Sequence, residues 1–228
     1  MSEVDFGALA DRVIARFEPA RKVWPPGIRL ALWLGLELAI LVLVALADPR
    51  PDLTEQFGNP RFLFQLAVFI VAGSAAAGLA LRTAIPGREA TRGELIVLAF
   101  TAPIVIAAIL SAPARSNVSI WQFLRAGTWC LGCTAALGAL PWAILFWTVR
   151  RGAPFMLETE GMLIGAAAFS FAFAASRLGC PIDNAMHVLV WHATPVAVGT
   201  LLSMSAGIAW LRRGAAAPIR ISPPSRRL

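Results

Sequence analysis

Residues 28–47 read IRLALWLGLELAILVLVALA, twenty positions with one Arg at the start, one Glu in the middle and otherwise apolar side chains or glycine. No polar face recurs with helical period, so this is not an amphipathic surface helix. It has the length needed to cross a bilayer, roughly 20 residues. Five further blocks of the same kind follow, at about 62–81, 94–112, 123–148, 160–178 and 187–210. The whole chain is 58% hydrophobic and 14% charged, against about 25% charged for a soluble domain. These runs predict an all-α polytopic membrane protein of six transmembrane helices, in contact with the lipid bilayer. The polar first 25 residues show no apolar core followed by a small-residue cleavage site, so the first span is expected to stay as an anchor.

Orientation follows from Lys and Arg. The N-terminal segment, the second and fourth loops and the tail carry 15 of them; the first, third and fifth loops with their flanks carry 5. Both termini are therefore expected in the cytoplasm. The net charge of +7 is a topology signal. No nucleic-acid motif accompanies it, so direct nucleic-acid binding is not expected.

Three parts are predicted: a cytoplasmic segment over 1–27, the transmembrane domain over 28–212, and a disordered basic tail over 213–228. In the first, Phe6, Leu9, Val13 and Phe17 fall on one face of a helix. Such a face suits either a membrane surface or the groove of a partner protein. Pro25-Pro26 ends the segment.

The chemistry concentrates in GCPIDNAMHVLVWH, residues 179–192, which holds both histidines and one of three cysteines. Cys180 lies in the short outward loop before span six. Cys130 lies about two turns into span four, which starts from the same side, so the two thiols can meet there. Cys133 is deeper and reads as a small apolar residue. Cys180, Asp183 and His187, spaced by three and four, could converge on a metal ion, whose identity the sequence leaves open. His192 follows His187 by five residues, which on an α-helix is about 140° of net rotation, so the two imidazoles are expected to diverge. His192 and Glu37 are intramembrane ionisable groups; Glu37 is expected to be either protonated or paired, with His192 or Arg125 as the candidate partners, and His192 either has a role or hydrogen-bonds a neighbouring span. No catalytic constellation is evident, so the chain reads as a non-enzyme and no cofactor is implied. A small transporter or a membrane thiol oxidoreductase stands as the alternative.

Several short marks recur in order: Val23-Trp24-Pro25-Pro26, Arg50-Pro51-Asp52-Leu53, Asn59-Pro60-Arg61-Phe62, Ile85-Pro86-Gly87-Arg88, Trp129-Cys130-Leu131, Arg150-Arg151-Gly152-Ala153-Pro154, and Cys180-Pro181-x-Asp183 leading to His187, Trp191 and His192. With them the chain resembles the NrsF-type anti-sigma factors. The resemblance implies a six-span protein of the bacterial inner membrane that takes part in a stress response. Its N-terminal segment would hold an extracytoplasmic-function sigma factor at the cytoplasmic face, through Phe6, Leu9, Val13 and Phe17. Cys130 and Cys180 would be the sensing pair for an oxidant or a thiol-reactive metal outside, with Asp183, His187 and His192 tuning the thiol or donating to the metal. Cys133 is not part of that pattern.

Overall fold

The computed structural model describes residue 7 and residues 23–88, 90–110, 119–152 and 154–211, with the side chains at 97–103, 108 and 211 left aside. The helix face at Phe6, Leu9, Val13 and Phe17, and the tail over 213–228, lie outside the described residues.

Every regular element among the described residues is helical. The long helices, labelled in chain order, are α1 (Pro26–Ala47), α2 (Pro60–Thr83), α3 (Arg92–Leu110), α4 (Ile120–Arg150), α5 (Leu157–Gly179) and α6 (Ala185–Trp210). Each lies within a few residues of one predicted span. All but α3 are long and apolar enough to cross a membrane when the described residues alone are weighed.

The starts follow local chemistry. Pro26 and Pro60 occupy first helical positions, where a missing N–H costs nothing. Asn59 accepts from the Arg61 amide. Ser119 and Gln122 form a reciprocal capping box at the start of α4.

Helix α5 is the centre of the bundle. The apolar stretch of α5 is 83% buried, against 11% for α1. It packs on α2 through Phe69 stacked on Phe173, with ring centroids 3.6 Å apart, and on α6 through small residues. A Cβ at Gly161 would stand 2.5 Å from the Ser203 carbonyl oxygen, so only glycine lets the backbones approach this closely. Ser203 donates to the Gly161 carbonyl at 2.6 Å and accepts from the Trp142 indole at 2.7 Å, joining α4, α5 and α6.

Helix α1 turns one stripe inward: Arg29, Trp33 and Glu37, each four residues after the last, are its buried residues. Trp33 donates to the Pro141 carbonyl in α4 and meets Phe171 edge-on. Arg29 reaches the carbonyls of Leu81 and Thr148 near the ends of α2 and α4. The start of α1 therefore lies beside the ends of α2 and α4, as alternating threading requires. Glu37 meets neither candidate partner. It is 1% exposed and makes no ion pair among the described residues, and its Oε1 has no hydrogen-bond partner. His192 pairs with Ser176 instead, and Arg125 is exposed.

Candidate functional site

At the end where α1 finishes, α4 begins and α5 passes into α6, the chain makes a tight corner. Gly179 lies against the Asp48 carbonyl, which a Cβ would crowd at 3.1 Å. The Cys180 amide closes the last turn of α5 on the Ser176 carbonyl. Pro181 prevents the helix from continuing. Asn184 then caps the next helix, its Oδ1 accepting from the amides of Met186 and His187.

The first turns of α6 are not α-helical. After Ala185–His187 the chain runs as a π-helix over Val188–Ala193. Bonding from i to i+5 places residues five apart on nearly the same face. That overturns the expected divergence of the imidazoles: the rings of His187 and His192 lie 5.3 Å apart by centroids.

Four side chains converge there. The Sγ atoms of Cys130 and Cys180 are 3.6 Å apart. His187 Nε2 is 3.5 Å from Cys180 Sγ. One donor atom each from Cys130, Cys180, His187 and His192 lies within 4.8 Å of all the others. Ser176 sets the orientation of His192 through a 2.8 Å bond to Nδ1, and His192 Nε2 has no hydrogen-bond partner. All four residues are buried. Tetrahedral metal–sulfur bonds of about 2.3 Å and metal–nitrogen bonds of about 2.0–2.1 Å imply edges of about 3.8 Å between sulfurs and about 3.6 Å between sulfur and nitrogen. The Cys130–Cys180 and Cys180–His187 spacings match these edges, and with His192 within the same 4.8 Å the four donors could hold a soft or borderline ion.

Asp183 does not join the cluster. It is held by Arg50 at 2.6 and 3.0 Å and by Arg177, in a clasp that also takes in Asp52 and Gln56. Arg50 is a fork between two carboxylates, and its amide donates to the Leu178 carbonyl. The Phe62 ring lies beneath both guanidiniums. Burial pushes the Asp183 carboxyl up, but hydrogen bonds from Arg50 and Arg177 outweigh it and hold the group below the usual carboxylate range. Hydrogen bonds from Arg50 and Gln56 do the same for Asp52. The clasp ties the loop after α1 to the loop carrying Cys180. From the sequence, Arg50 and Arg177 are outward-side charges, with Arg50 also in the Arg50-Pro51-Asp52-Leu53 mark, and neither is expected to pair with Asp183. Their signal was an Arg at the end of an apolar span, with an Arg-x-Asp loop to meet it.

Cys133 stands apart from the cluster. With Cys130, Cys180, Ser176 and His192 it lines a cavity of about 930 Å³ between α1 and α4.

A family model for negative regulators of sigma F, NrsF, matches residues 15–212. The chain belongs to the NrsF family. Its partner is accordingly a sigma factor, and its role is regulatory. Neither the curated proteins nor the solved structures contain a match to it. The matched span of this NrsF chain covers all four cluster residues and the clasp.

Proposed function

We propose that this NrsF protein is an anti-sigma factor of the bacterial inner membrane, with six spans and both termini in the cytoplasm. It holds an extracytoplasmic-function sigma factor through the 1–27 segment. It lets go when Cys130 and Cys180 react at the outer face, either by closing to a disulfide or by taking a soft metal ion together with His187 and His192. The observation that carries the reading is the pair of sulfurs 3.6 Å apart, one on α4 and one in the corner between α5 and α6, with two imidazoles beside them. Any reaction that joins the sulfurs fixes the α5–α6 corner to α4.

The energetics are of the right size. Turning a mostly closed population into a mostly open one requires about 5.5 kcal/mol of differential stabilisation. A covalent or thiolate–metal bond supplies that, whereas an exposed ion pair contributes about 0–1 kcal/mol. Asp183 acts in this reading through the clasp, fixing the loop that presents Cys180.

The test is to replace Cys130 and Cys180 by Ser, singly and together, and to follow sigma-factor release after oxidant or metal exposure. Loss of the response in the double variant, with sigma capture intact, is the expected result. A full response from that variant would end the cysteine mechanism.

A further inference from the structure

The cavity beside the cluster is larger than a metal ion or peroxide needs. Its volume of about 930 Å³ is that of a site for a molecule of drug size. Leu43, Val44 and Ala47 of α1 form one wall, and Ala126, Trp129 and Leu137 of α4 the other. From Gln122 to Leu137 the lining follows α4 for about 22 Å at 1.5 Å per residue, so the groove runs deep along the span rather than ending at its tip. It is open, with Leu43 64% and Trp129 73% exposed along the span, and Asp48, Gln122 and Arg125 line its polar end. In the six-span reading that open side along the span faces lipid. The inner end is different in kind. It presents the two thiols and His192, which is 0% exposed and has an unpartnered Nε2.

We propose that this groove binds a membrane-dissolved quinone, which oxidises Cys130 and Cys180. The proposal rests on the reading of these two cysteines as the responsive pair. A lipid tail would use the apolar walls but leave the ring nitrogen and thiols without function. A quinone uses all three features: an apolar body for the groove, a flat ring for Trp129, and an oxidising centre for the thiols, with His192 Nε2 placed to accept a thiol proton because Nδ1 is turned to Ser176, whose hydroxyl donates to the Phe173 carbonyl. The reaction balances without a further reagent. The Cys180 sulfur adds to the quinone as its S–H bond breaks. The Cys130 sulfur then attacks Cys180, the S–S bond forms, and the electron pair leaves on the ring. The two thiol protons pass to the ring oxygens, with His187 and His192 beside the sulfurs to carry them. The products are one disulfide and one hydroquinone. Metal ions would reach the same thiols from water, so the pair would report on two compartments.

The experiment uses the full chain in lipid nanodiscs, with a decyl-substituted benzoquinone as the probe and the water-soluble oxidant diamide as the control. Free thiols, hydroquinone absorbance and intact mass are followed. The quinone is expected to convert the pair with loss of two hydrogens and one hydroquinone formed per disulfide. Ala47 and Ala136 are both exposed, Ala47 lines the groove and so does Ala136, so A47W with A136W fills it without disturbing the core. That variant should react with the quinone about tenfold more slowly and with diamide at an unchanged rate. Equal slowing with both reagents overturns the groove as the route. Oxidation by diamide but not by the quinone overturns the proposal and leaves the sensing pair standing. A mass gain equal to the quinone shows arylation and overturns the redox step. Failure of both reagents to join the sulfurs overturns the sensing pair itself.

Discussion

His187 and His192 face each other, rings 5.3 Å apart, because the backbone between them is wound as a π-helix. The extra residue per turn is the device that turns two diverging imidazoles into a pair. Removing one residue, Val190, restores an α-helical i, i+4 relation and keeps the histidines on one face. Inserting an alanine after Val190 turns His192 away by about 100°. Zinc or cuprous-ion binding, followed by competition with a chelator, should survive the deletion and be lost in the insertion. Equal binding by both would show that His192 is not a ligand.

The clasp should be worth more than a surface ion pair, because the Arg50 side chain has no solvent exposure. R50Q leaves Asp183 with Arg177 and a long 3.4 Å bond from Gln56, and removes the guanidinium that joins it to Asp52. Breaking a buried pair costs about 3–5 kcal/mol, and the part-exposed carboxylates put this one near the lower end, about 3 kcal/mol. Thermal unfolding in detergent measures the loss. The same variant should expose Cys180 to maleimide, since the loop after α1 no longer restrains it. A variant as stable as the parent would reduce the clasp to decoration.

The pH dependence of that clasp has a fixed sign. Both Asp52 and Asp183 are held below the usual carboxylate range. Their contribution is therefore complete above the ordinary carboxylate value and is lost as pH falls through the depressed ones. Maleimide labelling of Cys180, corrected for the reagent's own pH dependence, should not change between about pH 7 and pH 5, with clasp opening only below about pH 3.8. Opening between pH 6 and pH 5 would mean that the carboxylates are not held as described.

Gly127 lies against the indole of Trp191, and a Cβ there would overlap the ring. G127A must displace Trp191 from the π segment or push α4 away, at about 1–3 kcal/mol for overpacking. Because Cys130 is one turn along the same helix, disulfide formation by diamide should slow as well. Unchanged unfolding and unchanged oxidation would place α4 and α6 further apart than the structure does.

At the other end, L9E with V13E should abolish sigma-factor capture while leaving the membrane domain folded, if the segment binds a partner groove. Retained capture would return that segment to the membrane surface. Reporter fusions to the tail should act in the cytoplasm.

The six long helices were legible because length and hydropathy are carried by composition, which survives without neighbours. Their ends fell within a few residues because Pro26, Pro60, Asn59 and Ser119 act locally. The approach of Cys130 and Cys180 was foreseeable from their positions near the same ends of facing helices. The π segment was not. Its winding reflects packing of Trp191 and His192 against α4 and α5, and an α-helical period applied to the same sequence gave the wrong angle. Asp183 shows the complementary difficulty. Spacing placed it with Cys180 and His187, but two arginines, Arg50 from the distant loop after α1 and Arg177 from the end of α5, attract it more strongly than an uncharged thiol can.

The central place of α5 also bears on how the protein is made. Helix α1 is the most apolar candidate span and almost all of its surface can face lipid, so it can enter a bilayer alone. Helices α5 and α6 are the least apolar, and α5 has Glu160, Arg177 and two serines buried along it. A translocon handling α5 in isolation meets a weak stop signal. It becomes a good membrane segment only once Ser203 and the glycine contacts of α6 cover it. The two helices, joined by the short corner that carries Cys180, should therefore be retained near the translocon and released together. When synthesis is stalled between them, a cysteine placed in α5 should stay open to a water-soluble maleimide, while one placed in α1 is protected.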